Sequence, residues 1–154
     1  TGAFDTFGLP GGMIGDTLPD RIGDDLNGSY GQIAGSEGQG IDTFSKMAED
    51  AGFNGTSPYT PESYDAAALF LLAMQAADSM DPAKYGPKIL DVANAPGEKI
   101  YPGELAKALE LIAAGKDVDY VGASAVELIG AGESAGTYRM IEVKDGKIET
   151  IGFK

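Results

Sequence analysis

Thr60-Pro61-Glu62-Ser63-Tyr64-Asp65-Ala66-Ala67-Ala68-Leu69-Phe70-Leu71-Leu72-Ala73-Met74 is the stretch on which the fold turns. Thr60 is placed to cap a helix, and Pro61 suits the first helical position, where a missing N–H costs nothing. The run predicts a helix from Thr60 to about Met80. From Ala66 to Met74 it is apolar all round, which predicts burial on most sides. So enclosed a helix needs layers against more than one side, and the chain must be searched for them.

Working outward, helices come first. Ser36 is a candidate N-cap for a helix carrying Ile41, Phe44, Met47, Ala48 and Ala51 on one stripe, with Gly52 closing it. A shorter helix is expected after Pro82, over Tyr85 to Val92, closed by Pro96 and Gly97. Another runs from Gly103 to Ala114, with Leu105, Ala108, Leu109 and Ile112 inward and Gly115 as its stop.

Strands are scarcer and lie at the ends. Gly28 to Ala34, Val118 to Val121 and Val126 to Ile129 read as short strands. Tyr138 to Lys144 and Lys147 to Phe153 flank Asp145-Gly146, a two-residue hairpin signal that sets Val143 opposite Ile148. A doubly wound sheet alternates strand and helix, whereas the central helices here have no sheet of their own. A partner segment outside this sequence is therefore expected.

Composition sets the functional limits. The chain has 154 residues, enough for a real core, and its longest apolar stretch falls far short of the roughly 20 residues of a membrane span. A soluble chain is expected. Against 24 Asp and Glu stand 11 Lys and Arg, a net charge of −13, which disfavours nucleic acid and anionic lipid as partners. Cysteine and histidine are absent, which removes thiol nucleophiles, Ser-His-Asp triads and the usual zinc sites. No enzyme activity and no cofactor or metal are expected. Thr1 to Pro10 has neither the basic region nor the apolar run of a signal peptide, so either a mature terminus or a missing upstream part is expected.

The motifs are weak taken singly. Gly8 to Gly15 reads as a loop leading into a weak helix, and Asp16, Asp20 and Asp24 beyond it as one solvated helical face. Neither Gly8-Leu9-Pro10-Gly11-Gly12 nor Gly35 to Gly40 carries Gly-Lys-Ser/Thr, so turn or hinge chemistry is favoured over a phosphate loop. Asn27-Gly28-Ser29 and Asn54-Gly55-Thr56 match the N-glycosylation pattern, which is short enough to arise by chance. Asp5 lies between Phe4 and Phe7, just before the glycine-rich loop. It has two readings: a carboxylate that pairs with a ligand ammonium while the aromatics supply apolar contact, or a cap on the loop that follows.

Several stretches in order resemble the branched-chain amino-acid binding family of type I periplasmic substrate-binding proteins. Tyr64-Asp65-Ala66-Ala67 is similar to that family's Tyr-Asp-Ala opening of a long buried helix. Gly103 to Leu109, leading into Gly115-Lys116-Asp117-Val118-Asp119-Tyr120-Val121-Gly122-Ala123-Ser124, resembles its helix, Gly-Lys and following strand. Gly136-Thr137-Tyr138 with the Asp-Gly hairpin resembles its closing strands. Two departures stand out: Ala125 replaces a usual Gly, and Leu128 to Glu133 replaces the common Phe-Asp-x-x-Gly-Asp.

The resemblance implies an α/β fold of the periplasmic-binding-protein type I class, with flavodoxin-like lobes, present as an incomplete two-lobe fragment. Residues 1–31 and 126–154 would belong to the C-terminal lobe, 39–117 to the N-terminal lobe, and 32–38 and 118–125 to hinge crossings. The missing N-terminal half of the same protein would supply the absent strands. The implied function is that of the substrate-binding component of an ABC importer, capturing an amino acid or related small carboxylate in the periplasm and delivering it to an ABC permease. A sensory or regulatory ligand-binding domain of the same fold is the alternative; an enzyme working through carboxylates alone is a third, disfavoured class. By position in the family's pattern, Phe4 or Asp5 would contact the ligand from one lobe and Tyr59, an aromatic at the cleft mouth, from the other.

Overall fold

The computed structural model describes residues 2–15, 17–130 and 132–154. The chain divides into two units: Thr1–Ser36 with Ser57–Tyr59 and Thr137–Lys154, and Glu37–Thr56 with Thr60–Gly136. Residues 126–136 thus fall with 60–117 in the second unit, and Ser57–Tyr59 fall in the first.

The first unit is built on a four-stranded sheet in the order β1-β2-β7-β8. Strand β1 (Gly8–Leu9) runs parallel to β2 (Tyr30–Ala34), and β2 runs antiparallel to β7 (Tyr138–Lys144). The hairpin from β7 to β8 (Lys147–Phe153) turns through Asp145 and Gly146, both at positive φ, with Val143 opposite Ile148 as the sequence predicts. Alternation puts Leu9, Ile33, Ile141 and Val143 on one face, where Ile14 and Leu26 complete the core. Tyr30, Gln32 and Ile151 are exposed on the other.

Between β1 and β2 the chain makes a 3-10 turn (Gly11–Met13), the short helix α1 (Leu18–Ile22) and a second 3-10 turn (Gly23–Leu26). Gly23, at φ 78, ends α1 before Asp24, so Asp20 and Asp24 do not share the expected helical face; Asp16 lies outside the described residues.

The second unit is helical around a two-stranded parallel sheet, β3 (Glu98–Ile100) with β4 (Val118–Tyr120). Its helices are α2 (Gln39–Asp50), α3 (Thr60–Ala77), α4 (Pro82–Tyr85), α5 (Lys88–Ala93) and α6 (Leu105–Ala113). A small hairpin of β5 (Leu128–Gly130) and β6 (Glu133–Ser134) follows. Ala68, Leu69, Leu72 and Ala73 of α3 pack with Val92, Ile100, Ala108, Val118 and Tyr120 into one core.

Several local expectations change. Gly38, not Ser36, is the N-cap of α2, because the cap needs φ 101, which glycine adopts without strain. The helix expected over Tyr85 to Val92 is broken at Gly86-Pro87 into α4 and α5. Helix α3 is buried on one side only: Leu72 is fully buried, while Phe70 and Leu71 are 46% and 53% exposed. Ala125 has φ 52, a left-handed conformation that accounts for the glycine usual at that position.

Candidate functional site

The N-terminal stretch is stapled to its sheet by one buried hydroxyl. Ser29 is fully buried, and its Oγ accepts the Phe7 N–H at 3.2 Å, while the Tyr30 N–H donates to the Phe7 carbonyl at 3.1 Å. The Phe7 N–H is thus engaged by Ser29 and not by Asp5. The neighbouring 3-10 turn is tied to the far hairpin, since Asn27 Oδ1 accepts the Gly146 N–H at 3.0 Å and the Gly28 N–H donates to the Val143 carbonyl at 2.8 Å.

Beside these ties the first unit has an open surface pocket of about 500 Å³, lined among others by Phe4, Asp5, Phe7, Asp24, Asp25 and Asn27, all of them exposed. Three carboxylates and no Lys or Arg line it, so its field favours a cation. Phe4 is 76% exposed and leaves an aromatic face open to a ligand. Such a wall can pair with an ammonium group and cover the apolar part of the same molecule.

Of the three residues singled out in sequence, Phe4 and Asp5 share this pocket and Tyr59 does not line it. Tyr59 stands elsewhere in the first unit, in a left-handed conformation at φ 63, with its hydroxyl 3.1 Å from where a Cβ on Gly11 would lie. A side chain at Gly11 would therefore press on the ring's hydroxyl. Phe7, the second aromatic beside Asp5, lines the pocket as well, whereas Asp24, Asp25 and Asn27 carry no ligand signal in the sequence. The sequence signal for Asp24 was a spacing of four that pointed to solvent, and only the turn after Gly23 brings it to Asp5.

The second unit holds a different polar centre. Asp65, 2% exposed, lies in α3 immediately before its apolar run. Its Oδ1 accepts the Tyr120 hydroxyl and the Ala123 N–H, each at 2.8 Å; its Oδ2 accepts the Ser124 N–H at 2.7 Å and the Ser124 Oγ at 2.6 Å. Burial first, and the Asp65 carboxylate second, push the Tyr120 hydroxyl far above the ordinary tyrosine range. With its oxygens fully engaged, Asp65 acts as a structural clamp. Among the described residues no group of three or more acidic side chains is placed to hold a metal ion, and no helix is long and apolar enough to cross a membrane.

No family model matches the chain. It is 36% identical over 94 residues to the chemotactic signal transduction system substrate-binding protein BasB of Halobacterium salinarum, over 60% of this chain and 23% of that protein. In structure it is similar to a leucine binding protein, LivK, of Thermotoga maritima, with a TM-score of 0.68 and 16% identity, over 96% of this chain and 37% of that one. The fold is thus the mixed α/β fold of LivK-like periplasmic binding proteins, in part. The chain spans about a quarter of the length of the curated relative and little more than a third of the solved structure.

Proposed function

We propose that this chain is part of the substrate-binding component of an ABC importer, which captures an amino acid or related small carboxylate reversibly in the periplasm and hands it to a membrane permease. The observation that carries this reading is the likeness to LivK over 96% of the chain, joined to a relative described as a substrate-binding protein. In this reading Phe4 and Asp5 are ligand contacts, Asp5 meeting the ammonium and Phe4 the apolar part, and Tyr59 is a further contact. The lobe scheme, with 1–31 and 126–154 in one lobe and 39–117 in the other, belongs to the same proposal. So does a preceding half of the protein that completes the lobes. The two-stranded parallel sheet of the second unit supports it, since such sheets are ordinarily larger and covered on both faces.

A sensory role is the second reading, and one observation favours it: the relative BasB is described as serving chemotactic signal transduction. Catalysis has no support from the residues at hand, because the usual nucleophile–base pairs need a histidine or cysteine that the sequence lacks.

Titration calorimetry on the product of the full open reading frame, against amino acids and against carboxylates of similar shape without an amine, tests the binding reading. Saturable binding of an amino acid is expected. Heats no larger than dilution across the whole panel would sink it. Deletion of the gene for this protein then separates the two roles, since uptake fails in the first and only the response fails in the second.

A further inference from the structure

We infer that Asn54 is an N-glycan acceptor and that Asn27, in the other matching tripeptide, is not. The two tripeptides are indistinguishable as patterns, each an Asn, a Gly and a hydroxyl residue. Transfer needs the asparagine amide and the hydroxyl two residues on to be reached together by a large enzyme, so exposure of that pair is what the fold decides.

At Asn27-Gly28-Ser29 the asparagine is exposed, but the fold withdraws the hydroxyl that must accompany it. Ser29 is fully buried with its Oγ accepting the Phe7 N–H, and Asn27 Oδ1 accepts the Gly146 N–H from the β7–β8 turn. The backbone is engaged as well: the Gly28 N–H donates to the Val143 carbonyl, and the Val143 N–H to the Ser29 carbonyl, both at 2.8 Å. Presenting this tripeptide would mean unpicking the end of the ladder between the two inner strands, β2 and β7.

At Asn54-Gly55-Thr56 the fold does the opposite. Asn54 and Thr56 are both exposed, whereas Gly55 between them is buried. A Cβ at Gly55 would stand 2.8 Å from Ala48 Cβ and 2.9 Å from Ser45 Cα, so the glycine anchors the loop on α2. Asn54 Oδ1 accepts both the Thr56 N–H and the Thr56 Oγ1, each at 2.9 Å, which holds amide and hydroxyl side by side at the surface.

The co-substrate is a glycan joined through its C1 to a lipid phosphate. A bond forms from Asn54 Nδ2 to C1 as the C1–oxygen bond breaks; the lipid phosphate leaves with the electron pair, and Nδ2 gives up one proton. In the cell this requires export, which rests on the periplasmic reading above; the chemistry at Asn54 does not.

The test is therefore done in vitro, with the folded product of the full open reading frame, a purified oligosaccharyltransferase and a lipid-linked glycan donor, read by the mass and sequence of the peptides that hold the two tripeptides. One glycan at Asn54 is expected, with Asn27 bare. N54Q should abolish the mass shift, N27Q should leave it, T56A should lower occupancy at least tenfold and T56S by less. Denaturing the chain beforehand should make Asn27 an acceptor too. A folded chain left unmodified at Asn54, or modified at Asn27 to a similar extent, overturns the inference. Failure of ligand binding leaves it untouched.

Discussion

The Tyr120 hydroxyl donates to Asp65 Oδ1 at 2.8 Å, joining two residues 55 positions apart in sequence. Asp65 sits on the helix α3 and Tyr120 on the strand β4, and the same carboxylate also takes the Ala123 N–H, the Ser124 N–H and the Ser124 hydroxyl. One buried side chain thus fastens the turn after β4 to the longest helix. A carboxyl group suits this post, since both of its oxygens can accept.

Asp65→Ala should therefore be severely destabilising. It strands two backbone donors and two hydroxyls, of which each buried unsatisfied one costs about 1–3 kcal/mol. A loss of about 3 kcal/mol or more is expected in the urea unfolding of this unit. Asp65→Asn should cost less, yet it sets an amide N–H against the Ser124 N–H or the Ala123 N–H, whichever way it turns. Loss of less than about 0.5 kcal/mol in both variants would overturn the clamp.

Tyr120 predicts an alkaline signature. Its hydroxyl is held protonated in the folded chain, above its value of 10.0 in the free state, by burial and then by Asp65. Because the native state binds this proton more tightly, its contribution is full below about pH 10 and is lost as the pH rises further, by up to about 1.4 kcal/mol per unit. Tyr120→Phe should be less stable by about 1 kcal/mol at neutral pH. It should also lose part of the alkaline fall, so the two stability curves converge above pH 10. Parallel curves would show that Tyr120 is not the group that titrates.

Within the same turn two substitutions should act in opposite directions. Gly122 has φ 63, and a Cβ there would run into the Asp65 carboxylate. Gly122→Ala then meets both strain and a clash, and a cost of several kcal/mol is expected, about 1–2 of it from the backbone alone. Ala125, at φ 52, already carries such strain. Ala125→Gly should raise stability by about 0.5–1 kcal/mol, the relief being partly offset by the freer unfolded chain. Equal signs for the two changes in thermal unfolding would mean the turn is not held as described.

The hairpin was legible in sequence because its signal is local: Asp145-Gly146 supplies the two positive φ values, and the alternation on either side sets the register. Helix α6 was legible for a similar reason, its apolar spacing and Gly115 stop being read within one turn of each other. Strand β3, with only Glu98, Lys99 and Ile100, has no pattern of its own and exists because β4 runs beside it. The exposed side of α3 was hidden by composition, since Phe70 and Leu71 are as apolar as the buried Leu69 and Leu72. At the site, Asp5 between two aromatics could be singled out. Asp24, Asp25 and Asn27 reach it through a turn and a bond to Gly146, which lie 119 residues apart from end to end.

That exposed side of α3 carries a prediction on association. Phe70 lies edge-on to Tyr85, with ring centroids 6.0 Å apart, but Leu71 and, just past the helix's end, Met80 are 53% and 83% exposed. If a further segment of the protein covers this side, the 154-residue chain by itself should self-associate or bind an apolar dye, as uncovered faces do. Leu71→Gln with Met80→Gln should reduce association without lowering the unfolding temperature by more than a degree or two. Sedimentation showing a monomer of the unsubstituted chain at high concentration, with no dye bound, would remove the main physical support for a missing covering segment.

The ligand site yields the most discriminating outcome. Asp5 lies in a pocket with Asp24 and Asp25, and the backbone N–H of Phe7, a natural donor for a capping carboxylate, is already taken by Ser29. A carboxylate so placed is available to a ligand ammonium, in a charge-assisted contact of about 1.5–3 kcal/mol. In the full-length protein Asp5→Asn should then weaken an amine-bearing ligand about ten- to a hundredfold at neutral pH. A shape-matched ligand without the amine should be nearly unaffected. The partial negative charge left by Asp24 and Asp25 makes the loss salt-dependent, larger at low ionic strength. Tyr59→Ala should cost less, through apolar contact alone, because Tyr59 is 49% exposed and lies outside the pocket. Calorimetry decides between the readings of Asp5. Equal affinity in wild type and Asp5→Asn, for amine and non-amine ligands alike, would make Asp5 a residue of the loop, and the ligand would then have to be sought away from this pocket.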